Sequence, residues 1–286
     1  MLRCCSEAFA LYDDDSVMPI FTGFPLHEEF KLDGQCPTDQ ALFALGSSCP
    51  QLRSIKLNFS GKPAFSDSGL KALSRGCPDL THLGLHHAPN IAILSFAEHC
   101  HKLVSLRITS QRITSRAVCA LLKASPNLTA ISLGGELLVT GEVVLALALH
   151  CRRALFIRLL VCSHLTEAML ATLFTRCTRL EALSLVIAGS ITLVLHCKSL
   201  DDVDLRSCPK LTGLTLSHLF RFGKRLTRIY MEDCGLYTSD EPGRYYTAGP
   251  NKTHGPPFGD DKRRFIPRDL EHQLGPSSHS SPCCAV

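Results

Sequence analysis

Cysteine and histidine are the chemically versatile residues of this chain, with fifteen Cys and thirteen His in 286 positions. Such side chains can ligate metals, act as nucleophiles or pair as disulfides. A zinc site needs clustered ligands with close pairs such as C-x-x-C. Here Cys49, Cys77, Cys100, Cys151, Cys177 and Cys197 recur instead at one slot of a long repeated frame. Placed in a column, four of them could not surround one ion. The adjacent pairs Cys4–Cys5 and Cys283–Cys284 lie outside that series and lack further ligands. His82, His86 and His87 form a local cluster, read as a surface patch. Neither G-x-S-x-G, nor a Walker A motif, nor H-E-x-x-H is present. Gly134-Gly135 offers only a weak phosphate cradle. The expectation is no enzyme, no cofactor and no metal.

The elements that position these residues follow from the frame itself, C-x-x-L-x-x-L-x-L. It reads Cys49–Leu52–Ile55–Leu57, Cys77–Leu80–Leu83–Leu85 and Cys100–Leu103–Leu106–Ile108. Ser125 takes the Cys slot before Leu128, Ile131 and Leu133. Cys151–Ala154–Ile157–Leu159, Cys177–Leu180–Leu183–Leu185 and Cys197–Leu200–Val203–Leu205 follow. The last copy has Gly223, Leu226, Ile229 and Met231. Successive copies are 28, 23, 25, 26, 26, 20 and 26 residues apart. That period is the window of leucine-rich repeats. After most copies of L-x-L comes a Thr or Ser and then apolar residues at helical spacing. Ser66 before Leu70 and Leu73, Thr166 before Leu170 and Leu173, and Thr212 before Leu216 and Leu219 show it. The hydroxyl suits an N-cap, and the spacing predicts a helix.

The pattern predicts an α/β leucine-rich-repeat solenoid. L-x-L is a short parallel strand whose alternation sends the aliphatic residues inward. The helix returns the chain on the convex side, which bends the stack into an arc with the strands on the concave face. This is a ribonuclease-inhibitor-like horseshoe, quasi-one-dimensional because each unit touches only its neighbours. Cysteine fits the inward slot as a small buried apolar residue. The step of 20 residues marks a shortened helix half in the sixth repeat.

Over residues 36–234 these copies resemble the cysteine-containing leucine-rich repeats of F-box/LRR proteins, the substrate receptors of SCF ubiquitin ligases. The resemblance implies non-catalytic protein recognition, with a Skp-type adaptor and a cullin as partners in ubiquitin-dependent degradation. Two departures stand out. One is the short sixth repeat. The other is that no segment reads as an F-box, which usually ends near a Trp, and this chain has no Trp. The alternative is a stand-alone leucine-rich-repeat scaffold, binding or inhibitory, with no ubiquitin role.

The address of a partner would lie in strand residues beside the buried leucines. These are Lys56, His82, His86, Arg107, Phe156, Arg158, Leu160, Asp202, Asp204, Arg206, Arg228, Tyr230 and Glu232. Phe156 and Leu160 are expected to expose apolar surface mid-arc, rimmed by charge, as protein-binding patches do. Lys56, Arg107 and Arg158 favour an acidic or phosphorylated segment.

Composition sets the remaining bounds. With 45% hydrophobic and 20% charged residues the chain is globular, which excludes a collagen, a coiled coil or a fully disordered chain. The net charge of +4 is too mild to imply nucleic acid. Residues 1–35 hold two basic and seven acidic residues, a net of −5, and read as a partly disordered acidic leader. Residues 36–234 hold 22 basic and 13 acidic, a net of +9, and form the solenoid of about eight repeats. Residues 235–286, with six Gly and seven Pro, read as a flexible tail. Lys262-Arg263-Arg264 within it reads as a solvated charge cluster. The final Cys283-Cys284-Ala285-Val286 fits the C-a-a-X outline, so Cys283 is a lipidation candidate and membrane association would depend on it. With no apolar run of ~18 residues and no signal-peptide pattern, the expected location is cytoplasmic, with the nucleus as second reading. Outside its complex the protein is expected to be a monomer.

Overall fold

The computed structural model describes residues 26, 28–34, 38–59, 65–86, 90–110, 113–135, 139–162, 165–186, 198–208 and 225–230. The strands are β1 (Glu29–Gly34), β2 (Ser54–Phe59), β3 (His82–His86), β4 (Ser105–Thr109) and β5 (Ala130–Gly134). They continue as β6 (Phe156–Leu160), β7 (Ala182–Val186), β8 (Asp202–Asp204) and β9 (Arg228–Tyr230). Six of the intervals hold helices: α1 (Asp39–Ser48), α2 (Asp67–Gly76), α3 (Asn90–His99), α4 (Ser115–Ala124), α5 (Gly141–His150) and α6 (Glu167–Arg176). All nine described strands join one open sheet in strict sequence order, each pair parallel. The fold is therefore an α/β leucine-rich-repeat solenoid.

The frame residues explain each turn of the stack. Every aliphatic slot from Leu52 to Ile229 is buried, including Ala154. Ser66 starts α2 by accepting from the Ser68 amide at 3.0 Å, and Thr166 starts α6 by accepting from the Met169 amide. The Cys slot is the helix C-cap: the amides of Cys49, Cys77, Cys151 and Cys177 close the last turns of α1, α2, α5 and α6. Three thiols of the slot then reach back one repeat. Cys77 Sγ donates to the Cys49 carbonyl at 3.5 Å, Cys100 to the Cys77 carbonyl at 3.6 Å and Cys177 to the Cys151 carbonyl at 3.5 Å. Helix C-termini leave carbonyls unpaired, and these thiols satisfy some of them. Ser125 interrupts the column, and its buried hydroxyl has no hydrogen-bond partner among the described residues.

Backbone links tie the strand entrances together. The carbonyls of Glu28, Arg53, Thr81, Val104, Thr129, Leu155, Glu181 and Asp201 each accept two amides from the next repeat. Helices also approach closely where side chains are absent. A Cβ at Gly76 would lie 2.0 Å from the Gly46 carbonyl oxygen, so α1 and α2 require glycine there.

The sheet begins earlier than expected. β1 lies inside residues 1–35, which were read as leader, and it pairs along β2 with Phe30 opposite Ile55 and Leu32 opposite Leu57. Counted back on that offset, Phe24 and His27 stand where Cys49 and Leu52 would, so the first two anchors of the frame are missing. The strand was hidden for that reason. The short sixth step leaves the sheet continuous, since β7 pairs directly with β8. Cys197, Gly223, Met231, Glu232, the helix expected after Thr212 and the Gly/Pro-rich tail with Cys283 lie outside the described residues.

Candidate protein-binding face

Alternation along each strand puts every second residue on the concave face, and the parallel register sorts those residues into rows. One row runs Lys31, Lys56, Gly84, Arg107, Ser132, Arg158, Ser184, Asp204 and Tyr230. A second runs Glu29, Ser54, His82, Ser105, Ala130, Phe156, Ala182, Asp202 and Arg228. His86, Thr109, Gly134, Leu160 and Val186 begin a third.

The first row alternates long cations with small residues. Lys56, Arg107 and Arg158 are half-buried, while Gly84, Ser132 and Ser184 between and beside them are buried. Lys56 leans over Gly84 toward β4: a Cβ on Gly84 would lie 3.2 Å from Lys56 Cγ. Leu160 leans in the opposite sense, back over Gly134, whose added Cβ would meet its Cδ1 at 3.1 Å. The missing side chains at Gly84 and Gly134 thus make room for these neighbours.

Arg158 is the most exacting group on the face. Burial pushes its guanidinium below the ordinary arginine range, Asp204 opposes that shift, and Arg107 and Arg206 add to it. Its Nε is buried without a hydrogen-bond partner among the described residues. Asp204 gives limited help because it is otherwise engaged. It accepts from Arg206 Nε at 2.9 Å and Nη2 at 2.8 Å, and from Ser184 Oγ at 3.0 Å. Asp202 is held by Arg228 through both Nε and Nη2. Burial pushes the Asp202 carboxyl up, and the Arg228 hydrogen bonds offset part of the shift.

Some expectations need correction. Phe156 does not expose apolar surface; it is 1% exposed. Its row neighbours are Ala130 and Ala182, short enough to leave the ring room against the sheet. Asp202 and Asp204, at 2% and 0% exposure, are not surface acids but buried partners of Arg228 and Arg206. Leu160 and Val186 remain half-buried, as do His82, His86 and Tyr230. Thr81 Oγ1 lies 2.8 Å from His82 Nδ1, which fixes that ring beside the entrance of β3. Glu29 and Lys31 were missed as members of the face, because the degenerate frame concealed β1. Among the described residues no group of three His, Cys, Asp or Glu could hold a metal ion.

No family model matches the chain. A curated relative, "Putative F-box/LRR-repeat protein 9" of Arabidopsis thaliana, is 32% identical over 96 residues, covering 24% of this chain. The match spans 39% of that relative's length. Among solved structures, the yeast crystal structure of the Rad7 and Elc1 complex is similar with a TM-score of 0.46 and 15% identity. That similarity covers 80% of this chain and 75% of the other.

Proposed function

We propose that this leucine-rich-repeat chain, similar in its repeats to F-box/LRR proteins, is a non-catalytic recognition module whose concave face captures an acidic protein segment. We further propose that it presents that segment to an SCF-type ubiquitin ligase through a Skp-type adaptor and a cullin. The observation that carries the reading is the row Lys31, Lys56, Arg107 and Arg158, four cations on one line of a parallel sheet. Basic side chains held half-buried on a rigid sheet are set up for charge-complementary binding, and arginines commonly anchor such contacts. The ligase role is supported by the curated relative's name, which belongs to a protein matched over less than half its length.

The experiment is capture of the tagged full-length protein from cytoplasmic and nuclear fractions, with co-purifying proteins identified by mass spectrometry. Recovery of the adaptor and the cullin supports the ligase reading. Recovery of another partner without either makes the chain a stand-alone binding scaffold, the second reading, which needs only the concave face. Membrane association is a separate proposal that rests on Cys283. Deletion of residues 283–286 releases the protein from membranes if lipidation anchors it.

A further inference from the structure

We propose that the convex face carries a docking site for an acidic amphipathic helix of another protein, centred on Leu145 and Leu149 of α5. The site lies on the helical side of the solenoid, away from the concave rows, and stands independently of the reading given for them.

The two leucines depart from the repeat. Counted back from the C-cap slot, Leu149 aligns with Ser47, Arg75, Glu98, Lys123 and Thr175, so every other described helix is polar there. Leu149 is apolar and 54% exposed, and Leu145, one turn earlier, is 44% exposed. Residues four apart share one helix face, so the pair forms a short apolar ridge along α5. Consecutive helices pack side by side. Leu145 aligns with half-buried Leu94, Cys119 and Ala171, which gives an apolar line across α3 to α6. Neither Leu145 nor Leu149 belongs to the buried core. Contiguous exposed apolar groups rimmed by polar ones mark contact surfaces.

One end of the ridge is basic. Lys123 sits in the last turn of α4 and Arg176 ends α6. Arg152 and Arg179 follow the ends of α5 and α6, and all four cations are exposed. None of the four joins an ion pair among the described residues. Cations near a helix C-terminus complement its dipole, which accounts in part for Lys123 and Arg176 but not for the leucines beside them. Glu142 stands at the opposite end of α5, where it accepts from Ser115 Oγ at 3.2 Å. Charge complementarity therefore places acidic side chains of the occupant against the C-terminal end of α5, with its apolar side chains over the ridge.

A single helix fits this surface better than other occupants. Apolar side chains spaced by three or four residues interdigitate with a leucine ridge whose flanks, Cys119 and Ala171, are small. The convex side is built of helices, so it gives an extended segment no strand edge to pair with. A second copy fits poorly. A standard interface buries roughly 800 Å² per partner, far more than two half-exposed leucines supply, and symmetry would set these cations against one another. A bilayer also fits poorly, because the half-exposed leucines offer less hydrocarbon than one myristoyl chain, which itself binds only marginally. A nucleic acid would leave the leucines unused.

The test uses the full-length protein and fluorescence polarisation with degenerate alanine-rich peptide pools of about 18 residues, long enough to form a helix. Each pool carries mixed Leu, Ile, Met and Phe along one helix face, with Glu, Gln or Lys at the flanking positions. The expected result is that the Glu pool binds roughly tenfold tighter than the Gln pool and that the Lys pool does not bind. Leu145→Ser and Leu149→Ser each weaken the Glu pool roughly tenfold. Lys123→Glu/Arg176→Glu removes the preference for Glu over Gln. These side chains are exposed, so the variants keep the wild-type melting temperature. Glu-pool binding that is lost in Arg158→Gln but indifferent to Leu149→Ser overturns the convex site and leaves concave acidic recognition standing. Absence of Glu-pool binding, or equal binding of the Glu and Lys pools, also overturns the convex site. Tighter Leu149-dependent binding to phosphatidylcholine vesicles containing phosphatidylserine overturns it in favour of a membrane. A dimer seen by analytical ultracentrifugation and lost in Leu149→Ser overturns it in favour of a second copy.

Discussion

Arg107 and Arg158 stand two strands apart on one register row, with Ser132 as the shared partner between them. Two guanidinium groups placed this way repel each other, and each lowers the other's tolerance of burial. The core is built from the opposite side of the same strands, so both cations stand on the concave face. The arrangement does make sense as a response to an anion that arrives from outside. Asp204 illustrates the response within the molecule, since it is fully buried yet held by Arg206 and Ser184.

The cysteine column should make the protein sensitive to alkali. Burial pushes the column thiols of Cys77, Cys100 and Cys151 up to about 12 and that of Cys177 up to about 11. In the unfolded chain a thiol ionises near ~8.5. The folded state therefore holds its protons where the unfolded state has released them. This contribution is intact below that pH and is lost as pH rises toward 12, at up to about 1.4 kcal/mol per thiol and pH unit. Urea midpoints should fall steeply between pH 8 and pH 10. At pH 8, site-resolved alkylation should mark half-buried Cys119 well before the four column thiols. Labelling of native Cys100 as fast as Cys119 would show that the column is not closed.

Ser125 is a gap in the same column. Its buried hydroxyl has no hydrogen-bond partner among the described residues, whereas the thiols of Cys100 and Cys177 reach a carbonyl one repeat back. Ser125→Cys should raise unfolding free energy by roughly 1 kcal/mol, by removing an unmet polar group and restoring the thiol link. The check is the denaturation midpoint at unchanged slope. A lower midpoint would mean that the cavity at this slot cannot take sulfur.

Asp39 ties two repeats together. Its carboxylate accepts from the Ser66 amide at 2.8 Å, the Ser66 hydroxyl at 2.6 Å and the Gly69 amide at 3.0 Å. Burial acts to raise its pKa, but the bonds from Ser66 and Gly69 hold the group below the ordinary carboxylate range. Its stabilising effect is thus present above ~4 and is lost as pH falls through the lowered value. Asp39→Ala should cost about 1–2 kcal/mol at pH 7. The difference from wild type should shrink in acid. A penalty that stays constant down to pH 2 would assign the effect to packing instead.

Helix contacts give a steric prediction. Gly76→Ala would drive a methyl group into the Gly46 carbonyl, so α1 and α2 must separate. The expected loss is roughly 1–3 kcal/mol, as for other overpacked contacts. Thermal melting measures it, and an unchanged melting temperature would mean the helices shift freely.

Much of this structure could be read from residue spacing. The frame leucines and cysteines mark strands, caps and core because burial demands the same residue types at the same slot in every unit. Ser66 and Thr166 were legible as caps for the same reason. β1 was not, because Phe24 and His27 replace the anchors while only Phe30 and Leu32 keep the alternation. The site was half legible. The register of Lys56, Arg107 and Arg158 followed from the frame. The burial of Phe156 depends on Ala130 and Ala182 in other repeats, and the loss of Asp202 and Asp204 as surface acids depends on Arg228 and Arg206. Such cross-repeat contacts leave no mark in a local pattern.

The central claim is that the concave arginine row recognises an acidic protein. The direct measurement is affinity capture from cells by wild type and by Arg107→Glu/Arg158→Glu, with matched folding checked by circular dichroism. The account predicts that the acidic partner recovered with wild type is absent from the reversed variant, while any adaptor bound elsewhere is retained. Recovery of the same partners in the same amounts by both proteins would contradict it.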